Sequence, residues 1–515
     1  MVAASEQARR DGLGLAASFA DLTRLALPEH QGPMRYVRRR DFLRTSLLAG
    51  AAARVPFSAW AQPAGANDAI RVGVAGVNGM GWGHVERFAG SPGARVVAIC
   101  DPDRGLLERR RSEFQKGGQK LETFTDIRAM LDRDDLDVVV VAAPDHWHAL
   151  AGVWAMQAGK DVYIEKPLTY SIWEGPRLVT AARELGRIAQ TGSQHRSCPA
   201  THQIREQVQS GKLGEVQWAY ALVFNRRPSI GRAGGPLQIP ADVDYDLYAG
   251  PATDEPPLRE VFHYDWRWQW PMGTGETANW GAHIIDDALN ITGITTAPKA
   301  ARAIGGRLGY VDDGETPNTL LVSYETGSVP LIAQFRGLPA KSGSEAMDAY
   351  RGIRIGTVIQ CENGYYAGGR GGGWIFDNDG KRVEQVEGDG GAGHVQNFLD
   401  AVRSRRSEDL NAPMQVGHMA ALYCHLANMS YRLGRKVVTE TGREAMQENG
   451  PARDQFESVV AHLAANHVDL SSPTLTLGEV QMDPETETFI GPNAAEADAL
   501  ARRRYREPFV LRETL

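Results

Sequence analysis

Runs of apolar residues alternate with helical patterns in the first part of the chain. Ile70 to Ala75 (Ile-Arg-Val-Gly-Val-Ala) is a short apolar stretch that runs into the turn Gly76-Val77-Asn78-Gly79-Met80-Gly81. A helical pattern follows from Gly83 to Phe88. Val96 to Cys100, Val138 to Ala142 and Val162 to Ile164 repeat the apolar run, each without the polar alternation of a half-exposed strand, as expected for parallel strands covered on both faces. Further on the pattern changes. Strand-like segments at Glu215 to Phe224, Ala300 to Leu308, Leu320 to Tyr324, Val329 to Phe335, Ile353 to Cys361 and Trp374 to Phe376 follow closely, with turn signals at Glu325-Thr326-Gly327 and Asn378-Asp379-Gly380. They predict a meander of antiparallel strands, whose exposed face is either a subunit contact or a wall over the ligand. Two glycine-rich tracts, Asn363 to Gly373 and Gly388 to Gly393, read as loops between strands. His394 to Arg403 and Met414 to Gly434 have helical spacing, and the proline-punctuated stretch 439–515 reads as an arm over the domains.

A strand, a glycine-rich turn and a helix form a cradle for a pyrophosphate: small residues admit the backbone to the phosphates, and free N–H groups at the helix start face the charge. Gly76, Asn78, Gly79, Met80 and Gly81 are the candidate cradle. Asn78 stands where the usual pattern has its second glycine, and Asn tolerates a positive φ better than other side chains. Asp101 ends the second strand at the spacing where a carboxylate takes the ribose hydroxyls of a dinucleotide. A carboxylate there repels a 2′-phosphate, which favours NAD over NADP. The third strand stops at Pro144-Asp145-His146-Trp147-His148. A zinc site at His146 and His148 is rejected, because residues two apart point different ways and no cysteine spacing supports them. Pro144, His146 and His148 instead belong at the carboxyl end of the sheet, where open α/β sheets bind ligands, with His148 near a helix start. Glu165-Lys166-Pro167 ends the next apolar run and brings a lysine to the place of the nicotinamide ring.

With these boxes, and with Gly192-Ser193-Gln194-His195-Arg196-Ser197 and Trp280-Gly281-Ala282-His283, the chain from Ile70 onward resembles the Gfo/Idh/MocA oxidoreductases. That resemblance implies an α/β protein: an N-terminal Rossmann domain (68–192) and a C-terminal α/β domain (193–438) built on an open, mostly antiparallel sheet. It implies NAD(P)-dependent hydride transfer on sugars, polyols or related hydroxy compounds, with Lys166 catalytic and the Lys166-Pro167 bond often cis. A homo-oligomer through the C-terminal sheet is expected.

Oxidising an alcohol requires an acceptor for the hydroxyl proton, and a neutral imidazole suits that task near neutral pH. His283 is the candidate. In the family a carboxylate lies four residues before this histidine; here Asn279 stands there, able to hold a hydroxyl or orient Lys166 but not to carry a proton. Asp286 and Asp287, at i+3 and i+4 from His283, either orient its ring or serve as helix-surface charge or an interface contact. Gln194 and His195 face the ligand or a buried hydrogen-bond network, and Arg196 pairs with a substrate anion or a neighbouring carboxylate. Trp266, Trp268 and Trp270 alternate at strand period, so all three would share one face; Trp268 is the candidate for sugar stacking, with core or subunit packing as the alternative. His418, His425 and Asn428 read as satisfied interface residues.

Composition narrows the partners. Of 515 residues, 42% are hydrophobic and 23% charged, ordinary for a globular chain of two or three domains. A net charge of -7 offers no footprint for nucleic acid or an anionic membrane. Four cysteines without CxxC spacing read as free thiols. Arg39-Arg40-Asp41-Phe42-Leu43-Arg44, a modest apolar stretch and Ala59-Trp60-Ala61 resemble a twin-arginine export signal (34–61), with Met34 as its start and residues 1–33 as a non-native or disordered extension. The apolar stretch is too short to span a membrane. Export delivers the folded protein to the periplasm or beyond, where free NAD is scarce, so the cofactor is expected to be tightly held and recycled in place. The alternatives are a redox-neutral glycoside hydrolase or epimerase that uses bound NAD transiently, and a carbohydrate-binding protein without catalysis.

Overall fold

The computed structural model describes residues 69–115, 120–447 and 449–513. The expected extension and export signal lie outside these residues. Six parallel strands form the first sheet: β1 (Ile70–Ala75), β2 (Ala94–Cys100), β3 (Glu122–Phe124), β4 (Val138–Val141), β5 (Asp161–Ile164) and β6 (Ala189–Thr191), in the order β3-β2-β1-β4-β5-β6. Every residue of β4 and β5 is buried, which is why their sequences show no alternation; a fully buried valine or isoleucine contributes roughly 1.5–3 kcal/mol. On one face pack the helices Met80–Gly90 and Arg104–Gln115, joined by the distant helix His394–Ser404 through Val395, Phe398 and Leu399. On the other lie Ile127–Leu131, His148–Gln157 and Glu174–Glu184, with Phe509 and Leu511 from near the C-terminus. Strand order reverses between β1 and β4, and that opens a crevice at their carboxyl ends.

The second sheet holds eleven strands: β7 (Val216–Phe224), β8 (Ala300–Gly306), β9 (Thr319–Glu325), β10 (Leu331–Arg336), β11 (Ile355–Cys361), β12 (Gly364–Gly369), β13 (Gly372–Phe376), β14 (Arg382–Glu387), β15 (Arg435–Val437), β16 (Leu475–Asp483) and β17 (Thr488–Ile490). The order is β14-β13-β12-β11-β7-β10-β9-β8-β16-β15, with β17 on β16. Two meanders flank β7, and only the β7–β10 pair is parallel. The chain is thus α/β, with a Rossmann-type parallel sheet and a mostly antiparallel mixed sheet.

Two expectations change here. The glycine tract at 363–373 is a β-hairpin, β12 and β13, and not a loop. Its glycines admit close backbone contact: a Cβ on Gly373 would sit 2.4 Å from the Ala367 carbonyl oxygen, and Gly372 adopts φ +96°. The stretch after residue 439 does not lie over the domains as an arm. Its β16 pairs with β8, and the helices Thr439–Met446 and Gly450–Ala465 cover one face of the sheet through Met446, Phe456 and Leu463. The helices Pro199–Gln209, Gly281–Thr292 and Met414–Arg432 cover the other. Among the described residues no helix is long and apolar enough to cross a membrane. All four cysteines are buried and free.

Candidate active site

A cleft of about 560 Å³ follows the carboxyl ends of β1, β2 and β4 and closes at the end of β5. Gly76 and Gly79 carry positive φ, +81° and +49°, so Asn78 keeps an ordinary backbone and its Oδ1 accepts from Gly79 N at 3.0 Å. The expected left-handed Asn78 is therefore unnecessary: glycines on either side absorb the turn. A Cβ on Gly76 would come within 2.5 Å of Ala143 N, and one on Gly81 within 1.7 Å of the Gly76 carbonyl oxygen. Gly81 lies off the cleft and sets the helix directly against the turn. Asp101, 7% exposed, lines the cleft. Its Oδ2 accepts from Val77 N at 3.0 Å and its Oδ1 from Asp103 N at 3.1 Å. Burial raises its pKa, and these N–H groups oppose the rise. The carboxylate fastens the glycine turn to β2 and keeps lone pairs free for a diol. Backbone room at Gly76, a helix start at Met80 and a carboxylate at Asp101 together fit a dinucleotide.

Glu165, Lys166 and Pro167 form the corner where the cleft ends, and the Lys166-Pro167 bond is cis. Glu165 is buried; its Oε1 meets His84 Nε2 at 2.8 Å and accepts from Gln194 Nε2 at 3.1 Å, while its Oε2 accepts from Lys166 N at 3.1 Å. Desolvation pushes this carboxyl up, but the His84 contact and the surrounding cationic groups outweigh it and hold the group well below the usual range. Gln194 also donates to Tyr163 Oη at 3.0 Å and so belongs to this network and not to the cleft wall. His148, the first residue of its helix, lies 2.6 Å from the Pro167 carbonyl through Nδ1 and 2.8 Å from the Ala143 carbonyl through Nε2. It ties the lysine corner to the end of β4. Pro144 lines the cleft; His146 does not. Its ring faces the carbonyls of Tyr248 and Met272, and burial lowers its pKa to about 3, so it joins the two halves of the molecule as a neutral group.

Lys166 Nζ donates to the Asn279 carbonyl at 2.6 Å, with Asn279 Oδ1 at 3.5 Å. Desolvation lowers the lysine pKa, opposed by Glu165, Asp145 and Glu276. Asn279 Nδ2 in turn donates to Oε2 of Glu276, a buried carboxylate held by Arg227 at 2.9 and 3.0 Å. Sequence reasoning missed Glu276; its position one turn before Asn279 was the available signal. Asn428 anchors this turn by donating to the Thr274 carbonyl and accepting from the Thr277 hydroxyl, and His425 meets Thr169, so both are the interface residues expected.

His283 lies off the cleft lining but near its end; burial first, then Lys166 and His195, hold its pKa well below the ordinary value, and its Nδ1 is buried without a partner among the described residues. Its ring stacks on His195 at 5.0 Å. Asp287 Oδ2 contacts His195 Nδ1 at 2.7 Å, and Asp286 takes Arg196 through contacts of 2.8 and 2.9 Å. Neither aspartate orients His283, because both project toward the 194–197 turn packed against their helix. Arg196 thus pairs with a neighbouring carboxylate.

The tryptophan expectation also changes. Asp265–Trp268 is a 3₁₀ turn, so the alternating indoles part company: Trp266 lines the cleft, Trp268 is buried near Arg227 and lies off it, and Trp270 lies under Arg432. Arg267 bridges Tyr264 and Trp266 at the cleft, with its guanidinium 4.7 and 4.3 Å from their rings.

Residues 70–193 match the model of the oxidoreductase family with an NAD-binding Rossmann fold. This stretch is similar to the Gfo/Idh/MocA oxidoreductases. Over 120 residues the chain is 32% identical to a glycosyl hydrolase family 109 protein of Shewanella sp. (strain W3-18-1), covering 22% of this chain and 26% of that protein. Over 160 residues it is 32% identical to inositol 2-dehydrogenase 1 of Saccharopolyspora erythraea, covering 31% and 47%. The matches therefore span less than half the length of these curated relatives. Among solved structures, the WlbA dehydrogenase of Bordetella pertussis in complex with NADH and UDP-GlcNAcA is similar at a TM-score of 0.52 and 18% identity, over 71% of this chain and 97% of that one. Levoglucosan dehydrogenase in complex with NADH and levoglucosan gives 0.52 and 18%, over 70% and 96%. At such identities the likeness is one of fold. The matched stretch has the cis Lys-Pro corner that the resemblance implies, while Asn279 keeps the chain apart from the usual carboxylate.

Proposed function

We propose that this protein is an oxidoreductase that passes hydride between a tightly held NAD and a sugar, polyol or related hydroxy compound, and that it works after twin-arginine export. The observation that carries this reading is a dinucleotide-fitting cleft that ends on Lys166 Nζ. Bound NAD supplies the hydride acceptor and donor. The chain itself handles position and protons. Gly76, Gly79 and the start of the helix Met80–Gly90 receive the pyrophosphate, and Asp101 the ribose diol. Lys166, desolvated and turned toward Asn279, holds an ammonium at the end of the cleft where an alkoxide is stabilised and, in the reducing direction, a proton is given from Nζ. His283 is kept neutral by burial and by the charge of Lys166, so its imidazole is an available proton acceptor. Asn279 orients Nζ and carries no proton.

A second reading, a redox-neutral glycoside hydrolase with transient use of NAD, draws support from the glycosyl hydrolase family 109 relatives. Turnover separates the two: net NADH with a carbonyl product supports simple dehydrogenation, and cleavage without net cofactor change supports the second. The protein purified without added cofactor is expected to show nicotinamide absorbance, and Lys166→Ala to retain it while kcat falls by about 10²–10⁴. An apo protein needing millimolar NAD in each assay contradicts tight binding, a full rate in Lys166→Ala removes Lys166 from the chemistry, and ligand binding that Lys166→Ala leaves intact with no turnover in either form leaves only a binding protein.

A further inference from the structure

A second cavity, about 320 Å³, shares no lining residue with the dinucleotide cleft but abuts it at Thr274, whose hydroxyl donates to Asp145 Oδ2 at 2.6 Å. Its wall carries Arg432, Arg502, Arg503 and Arg504 and no carboxylate. Arg432 and Arg504 have no ion-pair or hydrogen-bond partner among the described residues; the guanidinium of Arg432 rests 5.0 Å from the Trp270 ring centre. Arg503 lies 4.3 Å over Tyr170 and reaches only two carbonyls, of His146 at 3.3 Å and Pro271 at 3.4 Å, while its Nε is buried and unpaired. Arg502 alone is neutralised, by Glu513 at 2.6 Å. The carboxyl of Glu174 lies close enough for the charge of Arg503 to oppose its desolvation, but its hydrogen bonds go to Tyr170 N, Ser171 N and the Tyr505 hydroxyl, and it makes no ion pair with any of these arginines.

Three arginines thus line one cavity with no carboxylate in its wall and no ion pair among the described residues, on a chain whose net charge is -7. Like charges gathered in a concave, partly desolvated place repel one another unless an anion sits between them, and the guanidinium fork matches carboxylate, sulfate and phosphate oxygens. The geometry points to an oxyanion-binding site formed by Arg432, Arg503 and Arg504 against Trp270 and Tyr170. The ligand chemistry is a carboxylate, sulfate or phosphate group, free or carried on a sugar. Thr274 lines this cavity and bonds to Asp145 in the cleft wall, and Asn428 holds the Thr274 carbonyl, so an occupant touches the segment that leads to Asn279. The inference stands apart from hydride transfer.

The test titrates sodium sulfate, sodium phosphate and sodium glucuronate into the full-length protein at ionic strength fixed with chloride, which removes general screening, and reads the melting temperature and calorimetric heat. A saturable rise of about 2 °C is expected, the size for a ligand near ten times its dissociation constant on a chain this long. Arg432→Gln/Arg504→Gln, with two exposed side chains changed, is expected to lose that rise while nicotinamide absorbance stays as in the parent. A response to glucuronate alone assigns the site to sugar acids, and a response to sulfate or phosphate as well assigns it to the free oxyanion. Equal effects of all three salts and chloride, or an undiminished response in the double variant, overturn the inference.

Discussion

Glu276 acts on Lys166 by charge and by position. Its charge opposes the desolvation that lowers the Lys166 pKa, and its Oε2 fixes Asn279, which in turn holds Nζ. In Glu276→Gln one of the anions that favour the ammonium is gone, after Glu165 and Asp145 in strength, so the alkaline limb of the pH–rate profile assigned to Lys166 is expected at slightly lower pH. Arg227 also loses its partner in a buried pair, at a cost of about 3 kcal/mol in urea unfolding. A profile that does not move would make Glu276 a purely structural residue. Lys166 itself was legible in the sequence, because a Glu-Lys-Pro box at the end of an apolar run leaves its lysine at a sheet end. Arg196 and Gln194 were not. Whether Arg196 meets a substrate or Asp286, and whether Gln194 faces the cleft or Glu165, depends on which helix packs over their turn.

Among elements, the glycine turn followed by the helix Met80–Gly90 makes the sharpest prediction. Gly81→Ala puts a methyl 1.7 Å from the Gly76 carbonyl oxygen, so the helix must lift off β1. NAD content is expected to fall at least tenfold, with a stability loss of about 1–3 kcal/mol. Gly79→Ala adds a methyl that meets nothing within 4 Å and strains only the backbone, at φ +49° and ψ -111°, for about 1–3 kcal/mol. Nicotinamide absorbance of the two purified variants, with urea midpoints, checks the order; a Gly79 variant as poor in NAD as the Gly81 variant contradicts it. Apolar runs and this turn were readable because strand burial and turn sterics are local demands. The tryptophan row misled for the opposite reason. Alternation at Trp266, Trp268 and Trp270 mimics a strand, yet the segment has no strand neighbour and takes a 3₁₀ turn that sends the rings to separate places. The glycine tract at 363–373 misled likewise, since glycine's loop preference yields where two strand backbones must approach closely.

For the whole molecule, the buried histidines set the response to acid. Burial lowers His146 to about 3 and His394 and His425 to about 4, and holds His283 well below 6.5. Each has a folded-state pKa below its unfolded value, so the unfolded chain takes up the proton first; stability is complete above about pH 6.5 and falls as pH drops toward 4. The loss is on the order of 1 kcal/mol per histidine per pH unit. Buried carboxyls with raised pKa, such as Asp286 and Glu174, oppose it in the carboxylate range, and His195, which Asp287 raises against its desolvation, opposes it near the top of the window. The urea midpoint is expected to fall steadily from pH 7 to 4.5, and a constant midpoint contradicts these buried neutral states. By itself the sequence determined four of the six strands of the first sheet and the glycine turn, Asp101 and lysine corner at their ends, because each follows from burial, sterics or charge within a few residues along the chain. Only the tertiary structure decided that the segment after residue 439 completes and covers the second sheet, that Asp286 and Asp287 serve the 194–197 turn, and that four arginines from two distant segments share one cavity. Those outcomes rest on contacts between residues far apart in the chain, whose geometry exists only once the elements have packed.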